Sequence, residues 1–182
     1  MLKYMFLMVS FFLLQSDAME ELSWSEHYKL SWKDFKGQPN KDTDAVAVTA
    51  SGITFSYSIN KYKRTQKVQG FKTLVKAFFY PEHSWCKSDQ VDIHVLGHEQ
   101  LHFDITELHA RLFRQRIANV KLHEDLAQTL QDMHAKIEAD LMAMQNAYDT
   151  ESEYSIDVKG QEKWQDSITK RLKSVSQFKS KG

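Results

Sequence analysis

The chain is predicted to adopt an α+β fold, with an N-terminal, mostly antiparallel β-sheet followed by a C-terminal helical part. Three observations predict it. Period-two alternation is confined to the first half, where Ile53, Phe55, Tyr57 and Ile59 alternate with Thr54, Ser56 and Ser58. Beyond Asp89 the apolar residues recur at helical spacing instead. No proline follows Pro81, and the only later glycines are Gly97, Gly160 and Gly182. Strands first and helices afterwards argue for helices packed on one side of the sheet.

The elements follow in order. Residues 1–18 read as an export signal: Lys3, then an apolar run from Tyr4 to Leu14, then Ser16-Asp17-Ala18. The run is shorter than the roughly 20 apolar residues of a membrane span. No stable membrane insertion is expected once the signal is removed, and the protein is expected outside the cytoplasm, periplasmic or extracellular. Residues 19–182 are read as one domain. Leu30-Ser31-Trp32 and Phe35 form an apolar patch closed by Gly37 and Pro39. The alternation from Ala45 to Ile59 around Ser51-Gly52 suggests a hairpin with one face buried. Thr73 to Tyr80 reads as a further strand, with Phe78 and Phe79 on opposite, covered faces. Ser88 or Asp89 is expected to cap a helix running to about Asn119, with Leu101, Ile105, Leu108 and Leu112 on its buried stripe. A second helix is expected over His123–Asn146, a polar loop over Tyr148–Asp157, and a last helix through Trp164, Ile168, Leu172 and Val175.

Composition excludes several classes. With 42% hydrophobic residues, the chain can build a core. Its 24 basic and 24 acidic residues cancel, so no global field recruits nucleic acid or an anionic membrane. The densest basic run, Lys61 to Lys67, is too short for a nucleic-acid groove. Cys86 is the only cysteine, so no intrachain disulfide can form, and it reads as a small core residue.

The chemistry concentrates in His98-Glu99-Gln100-Leu101-His102. Four-residue spacing on a helix brings both imidazoles to one face, where they can grip one metal ion. Glu99 lies about 60° from His102 around the axis, taking 100° per residue. It can reach a water at the metal without competing as a ligand. Zinc acidifies such a water and polarises a carbonyl, while the carboxylate takes the proton. His98 and His102 are therefore the candidate zinc ligands and Glu99 the candidate general base. A His-rich helix surface without metal is the plain alternative, since His94 and His109 lie near the same face. A catalytic zinc needs a third protein ligand. A turn near residue 120 would bring Glu138 opposite His102, making Glu138 the geometric favourite. Asp149, Glu151 and Tyr154 in the polar loop are the other candidates.

The run from His98 to Arg111 resembles the signature of a bacterial family, domain of unknown function 922. Leu30-Ser-Trp-Lys-Asp-Phe-Lys-Gly37, Ala45 to Tyr57 and Ser84-Trp85 fit the same pattern. Met144-Gln-Asn-Ala-Tyr-Asp149 and Gln161-Glu-Lys-Trp164 resemble its closing motifs, so the likeness spans about residues 22–172. The resemblance implies an exported zinc-dependent peptidase with a zincin-like fold, acting on a peptide or protein. There is one departure. Where the family pattern has a His beyond the Tyr-Asp pair, this chain has Tyr154. A noncatalytic binding or scaffold protein, or a zinc hydrolase of non-peptide substrates, remains compatible with the same residues.

Overall fold

The computed structural model describes residues 20–180; the export-signal reading falls on residues outside that range. Five strands precede three α-helices: β1 (Leu22–Ser23), β2 (Ala47–Val48), β3 (Ser51–Lys61), β4 (Val68–Phe79), β5 (Trp85–Cys86), α1 (Ile93–Ala118), α2 (Leu126–Glu151) and α3 (Val158–Ser174). The α+β order is as expected. Both sheets are antiparallel: β1-β4-β3, and a separate β2-β5 ribbon.

The alternating segment forms β3, and its partner is β4, with Ser51 opposite Phe79 and Ile59 opposite Phe71. The turn of this hairpin is Tyr62–Lys67, not Ser51-Gly52. Gln66 closes it with φ 57°, and its N–H donates to Tyr62 O at 2.8 Å. One face is buried as expected: Ile53, Val75, Ala77 and Phe79 point into the core. The other is not covered; Leu74 is 51% exposed.

The core lies between this sheet and α1. Phe55 meets Phe113 at 4.8 Å and Phe79 meets Phe103 at 5.8 Å between ring centroids. Helix α1 is wrapped on nearly every side, by the sheet, α2 and α3. It therefore buries polar residues as well as apolar ones, including His98, Glu99, His102, Glu107 and Arg111. Its cap is Asp92 rather than Ser88 or Asp89; the carboxylate accepts from the N–H groups of His94 and Val95, both at 2.9 Å. Such a cap satisfies two of the four N–H groups a helix start leaves open.

Helix α2 runs five residues beyond the expected Asn146, to Glu151. Tyr148 and Asp149 therefore belong to its last turn, not to a loop. Gly160 lets α3 start against that turn: a Cβ there would stand 2.6 Å from Glu151 O. No described helix is long and apolar enough to cross a membrane.

Candidate metal centre

The two antiparallel helices α1 and α2 bring His98, His102 and Asp149 together. His98 Nε2 and His102 Nε2 stand 3.2 Å apart. Asp149 Oδ1 is 3.2 Å from the first and 2.8 Å from the second. Donor atoms of a tetrahedral site with bonds of about 2.0 Å stand roughly 3.3 Å apart. The observed triangle is close to that size, so these three residues fit a metal ion. Two imidazoles and one carboxylate are also a donor set suited to a divalent transition metal.

Neighbouring side chains fix the histidines. Tyr148 is fully buried, stacks on the His98 ring at 4.5 Å and 26°, and meets His102 edge-on at 5.1 Å. Trp164 of α3 backs Tyr148 at 5.5 Å. Nδ1 of His98 has no protein partner among the described residues, so on that side of the ring no hydrogen bond adds to the stacking and to the Nε2 contact with Asp149. The hydroxyl of Tyr148 is likewise buried without a partner. Burial first, then the carboxylates of Glu99 and Asp149, push its proton affinity up, so it stays a phenol.

Electrostatics within the triangle are mutual. Burial pushes the Asp149 carboxyl up, but hydrogen bonds from His102 and His98, with their charges, outweigh it and hold it well below the ordinary range. Burial pushes His102 down, but Asp149 and then Glu99 outweigh it and raise its proton affinity. The triangle thus favours positive charge at its centre.

Glu99 is 4% exposed, and no hydrogen bond ties its carboxylate down among the described residues. Its backbone carbonyl accepts from the Thr49 hydroxyl at 3.2 Å, which places the β2–β5 ribbon beside it. Cys86 on β5 is half-buried rather than fully buried; burial, then Glu99, raise its thiol proton affinity, so it is not a ready thiolate.

The other candidates lie elsewhere. Glu138 does not reach the site; it pairs with His134 of its own helix at 3.4 Å. Its expected position assumed a tight turn near residue 120. The actual connection covers residues 119–125, and the helix register puts Gln145 on Thr106 and Asp140 on Arg116, at 3.1 and 3.0 Å. Tyr154 is 70% exposed, in a run of left-handed residues from Glu153 to Ser155. Glu151 accepts from Trp164 Nε1 at 3.0 Å. His94 Nε2 donates to Ser155 O at 2.7 Å, and His109 Nδ1 donates to Ile105 O at 2.9 Å. Asp149, one of several candidates in the sequence, is the residue that meets both histidines. The signal that could have singled it out is the aromatic-acid pair Tyr148-Asp149, which supplies a stacking ring and a ligand together.

No curated protein and no solved structure matches the chain. The family profile described as bacterial protein of unknown function (DUF922) matches residues 26–155. That stretch contains β2 to β5, α1, α2 and all three residues of the triangle, and the chain belongs to this family.

Proposed function

We propose that the protein is an exported zinc-dependent hydrolase, a peptidase, with zinc held by His98, His102 and Asp149 and with Glu99 as general base. The observation that carries this reading is the convergence of three ligand atoms beside a buried, untethered carboxylate. Zinc bound there supplies Lewis acidity toward a carbonyl and toward water. Glu99 takes the proton of the attacking water and passes it to the leaving amine. Asp149 offsets the metal's charge, and Tyr148 holds both imidazoles in place. The same donor set serves non-haem iron; Glu99, one residue beyond His98, is what favours hydrolysis.

A peptide substrate fits the β2–β5 ribbon better than β4. The edge of β4 away from β3 is occupied: Val75 O accepts from Arg114, Ala77 O from Trp24 N, and Phe78 and Phe79 pair with β1. A two-stranded ribbon has an outer edge on each strand, and an extended peptide can add to such an edge. The departure at Tyr154 bears less on activity than its sequence position suggests, because Asp149 supplies the third donor.

Metal content of the purified full chain, measured by mass spectrometry without chelator or nickel resin, tests the site. About one zinc per chain, lost in His98→Ala/His102→Ala, supports it. Iron in its place would move the reading to redox chemistry. Glu99→Gln should then keep the zinc and abolish cleavage of a mixed peptide library; retained cleavage would remove Glu99 from the mechanism.

A further inference from the structure

The β3–β4 hairpin carries a charge pattern that the metal centre does not use. Between Asp44 and Glu82 the chain has no acidic residue, yet it has Lys61, Lys63, Arg64, Lys67, Lys72 and Lys76. In a chain of zero formal charge this is a marked local segregation. Among the described residues none of the six is ion-paired with a carboxylate. Like charges left unpaired on one hairpin repel one another, so the fold itself gains nothing from the arrangement.

The sheet register puts Lys72 and Lys76 on the outer face, and Lys61, Lys63, Arg64 and Lys67 are exposed in and beside the turn at its end. Ile53, Val75 and Ala77 face α1, which leaves Thr54 opposite Lys76, Ser56 opposite Leu74 and Ser58 opposite Lys72 on the outer face. Thr54, Ser56, Ser58, Lys72 and Leu74 are exposed, as is the whole turn from Tyr62 to Lys67. Two large apolar side chains stand among the cations: Tyr62 is 53% exposed and Leu74 51%. The surface is therefore broad, basic, lined with hydroxyls and dotted with apolar groups.

We propose that this outer face docks the protein on an anionic lipid bilayer, peripherally and without insertion. The cations meet headgroup phosphates, and the Ser and Thr hydroxyls can donate to the same oxygens. Tyr62 and Leu74 reach into the interfacial layer, where amphipathic and apolar groups are favoured beside lysines. Charge complementarity selects anionic lipid, because each Lys or Arg held near such a surface adds to the attraction. A single nucleic-acid strand fits the face less well. It would need a groove to track and aromatic rings to stack its bases, whereas this face is open and exposes one tyrosine. Helix α1 packs on the opposite side of the sheet, so docking leaves the metal triangle away from the lipid.

The test is co-sedimentation of the full chain with vesicles of phosphatidylglycerol and phosphatidylcholine in equal parts, against vesicles of phosphatidylcholine alone. The difference between the two cancels any contribution from apolar segments that ignore headgroup charge. The wild type should prefer the anionic vesicles, and raised salt should weaken the preference. Lys63→Gln/Arg64→Gln/Lys67→Gln should cut it roughly tenfold or more, with unchanged thermal unfolding and metal content. Leu74→Ser should weaken binding to the anionic vesicles by a smaller factor. Equal binding to both vesicle types would overturn the proposal, as would a preference that the triple variant leaves intact. A DNA duplex that displaces the protein from the vesicles at equal phosphate concentration would also overturn it, by showing a general polyanion surface.

Discussion

The two halves of α1 bury polar groups in opposite ways. Toward its C-terminal end, every charge meets its complement. Glu107 Oε1 accepts from Arg111 Nε at 2.8 Å and from Arg114 Nη1 at 3.4 Å. Arg111 Nη1 and the Arg114 guanidinium reach the carbonyls of Leu172, Phe178 and Val75, which ties the sheet and the C-terminal segment to the helix, while Arg111 Nη2 has only Glu26 nearby, at 3.6 Å. Trp24 lies under Arg111 and donates to Asp104 at 2.7 Å. Toward the N-terminal end, three atoms that can all donate electron pairs crowd one point. The first arrangement balances its charges within the protein. The second has the size and donor set to take a metal ion. Buried polarity thus marks a ligand site when the groups are alike, and a structural tie when they are complementary.

The largest effect expected is in the complementary cluster. Glu107→Gln leaves buried Arg111 with only the exposed Glu26, 3.6 Å from Nη2, as its anion and should cost about 3–5 kcal/mol in denaturant unfolding, with or without metal. A small loss would mean that the backbone carbonyls alone hold both arginines. Asp149→Ala should cost less in chelator. At a free zinc concentration about a hundredfold above the dissociation constant, however, the wild type gains about 2.7 kcal/mol and the variant should gain nothing. A variant stabilised as much as the wild type would remove Asp149 from the ligand set.

Histidines sharpen the contrast through pH. Burial holds His109 below its ordinary value of 6.5, with Arg171 and Arg116 adding to this and the Ile105 carbonyl and Asp140 opposing it. Its folded form resists a proton that the unfolded chain accepts, so stability should fall as pH drops below about 6.5 toward its lower folded value. His109→Gln should flatten that slope in chelated protein. His102 works the other way: its raised proton affinity gives stability that is present at low pH and lost as pH rises through its folded value. An unchanged slope in His109→Gln would place the titrating group elsewhere. The smallest effect belongs to Tyr154→Ala, which should leave metal stoichiometry unaltered because the side chain is exposed; lost metal would place Tyr154 among the ligands.

Much of the fold was legible in local pattern. Ile53 to Ile59 read as a strand because alternation survives wherever one face is buried. The helices read as helices because Leu101, Ile105 and Leu108, or Leu130 and Ile137, repeat with the helical period. The turn at Tyr62–Lys67 was not legible, since it contains no glycine, proline or asparagine and closes on a glutamine in a left-handed conformation. The last turn of α2 was missed because its surface is polar and only Tyr148 anchors it. His98 and His102 could be paired from spacing alone, being four residues apart on one helix. Asp149 could not, because which residue of α2 lies opposite them depends on the length of the 119–125 connection and on how the helices cross. Neither is written in the helix patterns.

Asp149 lies in the last turn of α2, at the end farthest from the connection between the helices. One end of the helix pair is therefore joined by the chain, and the other meets only through the triangle. An ion seated there closes the chain into a ring from His98 to Asp149. A protein with one cysteine has no intrachain disulfide to make such a ring, and a coordinated ion can serve the same purpose by lowering the entropy of the open chain. The last turn of α2, where fraying would otherwise begin, is the segment whose amide exchange the ion should slow most.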